Sequence, residues 1–188
     1  MKFKTIGHAI GLTFAFAGAG AAVAANPMAT GTINGTALTF EEFTATTQIG
    51  IGLVDTNKLF FIDEQTVENV KSWYIFFDPA CRGVVHAEIT FSDAISDLII
   101  SRTQLDGTNG TYGKTGINYG SVPRTGLEVT RDFYTVSGNT LTIDWKASDP
   151  GDHVRVLTSI PEPQTYALLL AGLGLVGAAT RRRDTSRV

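Results

Sequence analysis

One cysteine, three histidines and two methionines among 188 residues leave few parts for thiol or metal chemistry. With Cys81 alone, an intrachain disulfide and a cysteine-based zinc cluster are both excluded. His8 falls in an N-terminal leader, and the remaining pair, His86 and His153, has neither HExxH nor HxH spacing, so zinc is not indicated. A GxSxG elbow, a P-loop and a dinucleotide-binding glycine fingerprint are also missing. No catalytic, cofactor-binding or metal-ligating residue is assigned on these grounds, and a noncatalytic protein is expected. Positive charge is scarce through the middle of the chain. Residues 26–160 hold 9 Lys+Arg against 16 Asp+Glu, a net of −7. Nucleic-acid binding needs lysine and arginine in numbers, so that class of partner is excluded.

What is present suits a globular domain with appendages. Hydrophobic residues make up 43% and charged residues 18%, which argues against wholesale disorder. Between the two ends the pattern is one of short strands and turns. In VVHAEITF, Val85, Ala87, Ile89 and Phe91 share one face and His86, Glu88 and Thr90 the other. In SWYIFF both faces are apolar, with Trp73, Ile75 and Phe77 opposite Tyr74 and Phe76, so both are expected to be covered. FYTVSGNTLTIDW reads as a hairpin turning at Gly138–Asn139, with Leu141, Ile143 and Trp145 on one face of its second arm. DHVRVLT adds a strand with Val154 and Val156 on one side, and further candidates are Thr32–Phe40, Ile49–Val54, Leu59–Ile62 and Leu98–Ser101. About eight or nine strands at this spacing predict a mainly β domain, an antiparallel β-sandwich or jelly roll. A helical turn is expected near Gln65–Val70.

From Asp106 to Gly126 six glycines and few aliphatic residues predict a long surface loop. Tyr112 and Tyr119 within it are the candidates for a ring-stacking contact with polysaccharide or another matrix component. The DGTNG at Asp106 has the start of a calcium loop, but Ile117 stands at the twelfth position, where an EF-hand needs an acid. SDPGD, with Asp149 and Asp152, reads as a Pro-Gly turn. A calcium site assembled from loops of distant strands is left open. His86 beside Glu88 reads as a solvated pair, and Cys81 as a partly buried, inert thiol. Sixteen acids in the core also leave a second function open, a secreted glycan-active hydrolase, because carboxylate separations in space are not legible in a sequence.

The two ends read as addresses. Residues 1–25 have the three parts of a secretory signal peptide: Lys2 and Lys4, an apolar stretch from Ile6 to about Phe16, and small residues for signal peptidase, with cleavage after Ala24 or Ala25. Residues 160–188 hold Pro161, Glu162 and Pro163, an apolar run over Tyr166–Thr180, and Arg181, Arg182 and Arg183. As a short transmembrane helix the run is about 22 Å long against a hydrocarbon core of about 30 Å, a marginal anchor to the inner membrane. The arginines would hold its far end at the cytoplasmic face. The prolines keep the preceding segment extended and outside that helix, where a processing enzyme can grip it.

PEPQTYALLLAGLGLVGAATRRR resembles the PEP-CTERM sorting signal of exported Gram-negative bacterial proteins: Pro-Glu-Pro, a Leu/Gly/Ala-rich helix and an arginine-rich stop, in order, over about 25 residues. The resemblance implies recognition of Pro161, Glu162 and Pro163 by an exosortase, a membrane-embedded enzyme, then release or transfer to the cell surface, in bacteria that typically make exopolysaccharide and biofilm. FIDEQ, FFDPACRGVVHAEITFSDAI and LEVTRDFYTVSGNTLTIDWKASDPGDHVRVLT also resemble a group of PEP-CTERM exported proteins of unassigned function. That looser likeness implies a shared β-rich domain over residues 26–159 and brings no activity with it. The expected protein is a noncatalytic envelope or matrix module.

Overall fold

The contrast between the alternating VVHAEITF and the apolar SWYIFF is the contrast between two β-sheets. The computed structural model describes residues 24–50, 54–120, 125–161 and 168–175. Its elements follow in the order β1 (Met28–Ile33), β2 (Thr36–Ala37), β3 (Phe40–Glu42), β4 (Leu59–Val67), β5 (Val70–Phe77), β6 (Val85–Thr90), β7 (Ile95–Ile99), α1 (Arg102–Tyr112), β8 (Phe133–Ser137), β9 (Thr140–Trp145) and β10 (Asp152–Ser159). One five-stranded sheet has the order β2-β1-β6-β9-β8 and the other β3-β4-β5-β10-β7. Every strand lies in one compact unit, Val23–Glu162.

A single core joins the sheets. Ile33, Val85, Ala87, Ile89, Leu141, Ile143 and Trp145 come from the first sheet. Leu59, Phe61, Trp73, Ile75, Phe77, Val154 and Val156 come from the second. The first sheet is one-sided: His86 and Glu88 face solvent, which is why β6 alternates. The second is buried on both sides. Its outer face carries Phe60, Ile62, Tyr74, Phe76 and Leu157, under Phe43, Ile49, Leu105 and Tyr119. That second cover accounts for the unbroken apolar run of β5. Fully burying one such large apolar side chain contributes about 1.5–3 kcal/mol, so both faces are worth covering.

Several expectations are corrected here. The second sheet is mixed: β3 pairs β4 in parallel, Phe40 opposite Leu59. Residues 43–58 between them supply a crossover of the dozen or more residues that a parallel pair needs. Thr32–Phe40 is not one strand. Asn34 and Gly35, with φ of 51° and 77°, form a tight turn between β1 and β2, an Asn-Gly signal present in the sequence. The helical turn foreseen at Gln65–Val70 is instead the β4–β5 hairpin, in which Val67 faces Val70 and Thr66 faces Lys71. Ile49 and Gly50 are not in a strand, and 51–53 lie outside the described residues. The Gly138 turn is as expected, with φ 61°.

The largest difference is α1. The first third of the segment read as a surface loop, Asp106–Tyr112, belongs to a helix that begins at Arg102 and buries Leu105. Apart from Arg102, Gln104 and Leu105 its composition disfavours helix, with Gly107 and Gly110 inside and threonine and asparagine between. Its stability comes from tertiary contacts described below. In the second unit, which takes in Pro163–Val188, residues 168–175 are helical, and Leu168, Leu169, Leu170, Leu173 and Leu175 are 59–74% exposed. Among the described residues no helix is long and apolar enough to cross a membrane. The leader 1–23 and the remainder of the expected Tyr166–Thr180 helix lie outside the described residues.

Glycine is needed at some of these positions and wasted at others. At Gly31, φ is 148° and a Cβ would lie 2.1 Å from the His86 carbonyl oxygen, so β1 and β6 pair only because no side chain is there. At Gly107 and Gly110 a Cβ meets nothing within 4 Å. Gly107→Ala and Gly110→Ala are therefore expected to stabilise the domain by about 0.5–1 kcal/mol each. Gly31→Ala is expected to cost several times that, on the order of 3 kcal/mol. Thermal denaturation of the three variants checks both signs.

Candidate functional site

β10 lies between β5 and β7 in the mixed sheet, and its alternate residues point outward under α1. Arg155 sits there with no exposed surface. Its Nε donates to Glu64 Oε2 at 2.7 Å and its Nη2 to Glu64 Oε1 at 2.9 Å, a bidentate pair between β10 and β4. Nη1 donates to the Leu105 carbonyl at 3.0 Å and to Thr108 Oγ1, and Nη2 donates also to Asn109 Oδ1 at 2.7 Å. All five guanidinium N–H groups thus have acceptors, three of them in α1. Ser72 Oγ donates to Glu64 Oε2 at 2.5 Å. The guanidinium also lies over two rings, 5.1 Å from the centroid of Tyr74 and 5.7 Å from that of Tyr119. A buried charge survives only with this degree of pairing.

The tyrosines expected at the surface belong to this assembly. Tyr119 is 9% exposed, its ring edge-on to Tyr74 at 5.1 Å, and its hydroxyl accepts the Lys114 N–H at 2.8 Å. Tyr112 is half-buried against the same cluster. The Tyr119 ring is taken up by Tyr74 and Arg155 and is not the surface ring expected, while Tyr112 keeps part of its surface exposed. Burial holds the Tyr74 and Tyr119 hydroxyls well above the usual phenol range.

His153, fully buried, completes the outer layer. Nε2 lies 3.0 Å from the Pro150 carbonyl, which only accepts, so Nε2 carries the proton and Nδ1 accepts from Tyr74 Oη at 3.0 Å. Burial, opposed by the Pro150 bond, lowers its pKa to about 4. It is a neutral structural group. His86 pairs across the strands with Asp144 at 3.3 Å and not with Glu88, because its register partner on β9 is Asp144. Cys81 is exposed, against the expectation of partial burial.

Acidic groups gather at the β10 entry. A cleft of about 80 Å³ is lined by Glu128, Arg131, Lys146, Asp149, Gly151 and Asp152, among others. Asp132, buried beside it, accepts the Glu128 N–H at 2.7 Å and the Lys146 N–H at 3.1 Å. Burial, followed by the charges of Asp132 and Glu128 and opposed by Arg131, raises Asp152 to about 8. Burial, then Asp149 and Asp55, raises Asp78 to about 7, while the Gly50 backbone acts the other way. Among the described residues, Asp55, Asp78 and Asp149 are the group of potential metal ligands close enough to share an ion. Sequence reasoning had singled out only Asp149 of these, as a turn residue.

The sorting residues leave from the same sheet. The Ile160 N–H donates to the Asn69 carbonyl at 2.7 Å, tying the chain to the β4–β5 turn just before Pro161, which is exposed. Glu162, Pro163 and Arg181–Arg183 lie outside the described residues. Of the signal-cleavage residues, Ala24 is half-buried against the shared core and Ala25 is exposed. A family model, the PEP-CTERM protein-sorting motif, matches residues 159–183. No curated protein and no solved structure matches the chain.

Two outcomes follow from the buried charges. Arg155→Met is expected to cost about 3–5 kcal/mol, because it strands the Glu64 carboxylate, and to raise amide exchange across α1. Adding Glu64→Met is expected to recover much of the stability without restoring α1 protection; hydrogen exchange with thermal denaturation separates the two. For pH, Asp152 has a folded pKa above its unfolded one, so the folded state keeps a proton that the unfolded state has lost, and stability falls as pH rises toward about 8. Asp78 acts in the same direction up to about 7, and His153 in the opposite direction between about 4 and 6.5. From pH 7 to 8 Asp152 is the larger contributor, costing about 1 kcal/mol, with a smaller residual from Asp78. Asp152→Asn is expected to flatten denaturant-derived stability over that interval.

Proposed function

We propose that the chain is an exosortase substrate whose exported two-sheet domain acts as a noncatalytic module of the cell envelope or extracellular matrix. The observation that carries this reading is the sorting-motif match at residues 159–183, which begins at the last residue of β10. The coarse part, a chain with a PEP-CTERM signal for export and membrane processing, rests directly on that match. Pro161 stands exposed immediately after a strand end held by the Ile160 bond, so the recognition segment starts where the folded domain stops. The exposed leucines of 168–175 suit a segment whose solvent is lipid.

The β-sandwich arrangement of the domain is supported by the one core shared between its sheets. Support for a noncatalytic role comes from the sequence, which has no GxSxG elbow, P-loop or HExxH pattern. A stacking contact with polysaccharide would fall to the half-buried Tyr112, since the Tyr119 ring is packed against Tyr74 and Arg155. Final residence at the cell surface, after passage through an inner-membrane-anchored precursor, follows from the sorting reading.

Replacing Pro161, Glu162 and Pro163 together by alanine, in an exosortase-bearing host, is expected to leave full-length protein in the inner-membrane fraction. Cell fractionation with immunoblotting reads this. Normal processing and release of the triple variant would contradict the proposal.

A further inference from the structure

Three acidic residues distant in the chain meet at one end of the mixed sheet. Asp55 lies just before β4, Asp78 directly follows β5, and Asp149 lies just before β10. Leu59 and Asp152 both stand in register with Phe77, the last residue of β5, so the three segments leave neighbouring strands side by side. One carboxylate oxygen from each residue lies within 4.8 Å of the other two. Asp55 and Asp149 form an exposed rim; Asp78 is the floor, 0% exposed. Neither Asp78 oxygen has a partner at full hydrogen-bond geometry, the Gly50 backbone acting on it only weakly, and the adjacent Thr56 hydroxyl is buried and unpaired as well. Thr56 is held in place by its N–H, which donates to the Asp78 carbonyl at 3.0 Å. Native proteins rarely leave a buried carboxylate without a partner, because nothing then replaces its lost hydration.

We propose that Asp55, Asp78 and Asp149 form a calcium site that ties together the ends of β4, β5 and β10. The donors are all carboxylate oxygens, hard ligands suited to calcium or magnesium and not to zinc or copper. Two oxygens on opposite sides of an ion about 2.3–2.6 Å from each are about 4.6–5.2 Å apart, which accommodates the observed separations. The open rim leaves room for the water ligands that bring calcium to six or more. Calcium accepts such an irregular mixed shell, whereas magnesium demands near-ideal octahedral geometry. The turn bearing Asp149 is pressed into place: a Cβ on Gly151 would lie 2.5 Å from the Phe77 carbonyl oxygen and 2.9 Å from the Asp78 Cα. An ion held there offsets the buried Asp78 charge and clips three adjacent strands, rigidifying the domain wherever calcium is plentiful. The site is independent of the sorting reading.

The test is calorimetric titration of the chelator-treated full chain with calcium chloride, with magnesium chloride in parallel and thermal melting in calcium against EGTA. One ion per chain is expected, with Kd on the order of 10⁻⁴–10⁻³ M. The melting temperature is expected to rise by about 3 °C or more in 10 mM calcium. Asp78→Asn is expected to abolish binding while melting no lower than wild type in EGTA, since it removes the unpaired charge. Asp55→Asn and Asp149→Asn, on the exposed rim, are expected to weaken binding about tenfold or more, and they keep the test decisive if the floor variant fails to fold. Absence of heat and of any melting shift at 10 mM calcium overturns the site. So does calcium binding that survives both rim variants, and an equal response to magnesium overturns the assignment to calcium.

Discussion

The outer half of the domain is organised around one buried cation. Arg155, in the centre of a strand, has no solvent to fall back on, so each of its five N–H groups must find an acceptor inside the protein. Glu64 neutralises the charge from β4, reaching across the intervening β5. The remaining acceptors come from Leu105, Thr108 and Asn109, and their positions require residues 105–109 to be wound as a helix above the strand. Tyr74 and Tyr119 then close over the guanidinium from its faces. Cation, helix and aromatic cover are therefore a single unit. Such an ensemble contributes more to specifying one arrangement than to net stability, since desolvating two charges consumes most of what their attraction returns.

This dependence explains which parts of the fold were legible in the sequence. Strand faces were: β5, β6, β9 and β10 announce their buried sides by period-two patterning, and the double cover of Tyr74 and Phe76 against Trp73 and Ile75 could be read from SWYIFF alone. α1 could not, because RTQLDGTNGTY carries one buried apolar residue and two glycines, and its helicity is imposed by Arg155 from almost fifty residues away. Tyr119 was misplaced for the same reason, its ring being drawn inward by a cation whose location no local pattern reveals. The parallel β3–β4 pair is not legible in the sequence because parallel register depends on a crossover, not on alternation. The Asn34–Gly35 turn, by contrast, is a local signal inside a stretch that otherwise patterns as strand.

The acidic residues show the same division. A sequence shows that the middle of the chain is acidic, but not that strand register delivers Asp55, Asp78 and Asp149 to one point, or that Asp132 and Asp152 share another. Neither cluster is adjacent in sequence; each exists because β10 is threaded between β5 and β7. The same threading sets the exit of the chain. β10 ends at Ser159, where the match to the sorting motif begins, and the next residue is fastened to the β4–β5 turn. The folded domain thus ends where the match to the sorting motif begins, and what the domain does depends on residues upstream of Pro161.

The most direct measurement is the intact mass of the protein recovered from outside the inner membrane of an exosortase-bearing host. The account predicts a chain that has lost its N-terminal leader to about Ala24 or Ala25 and its apolar and arginine-rich tail, with no peptide from residues 168–188. A recovered chain that still ends in Arg181-Arg182-Arg183 and the residues after them would contradict it.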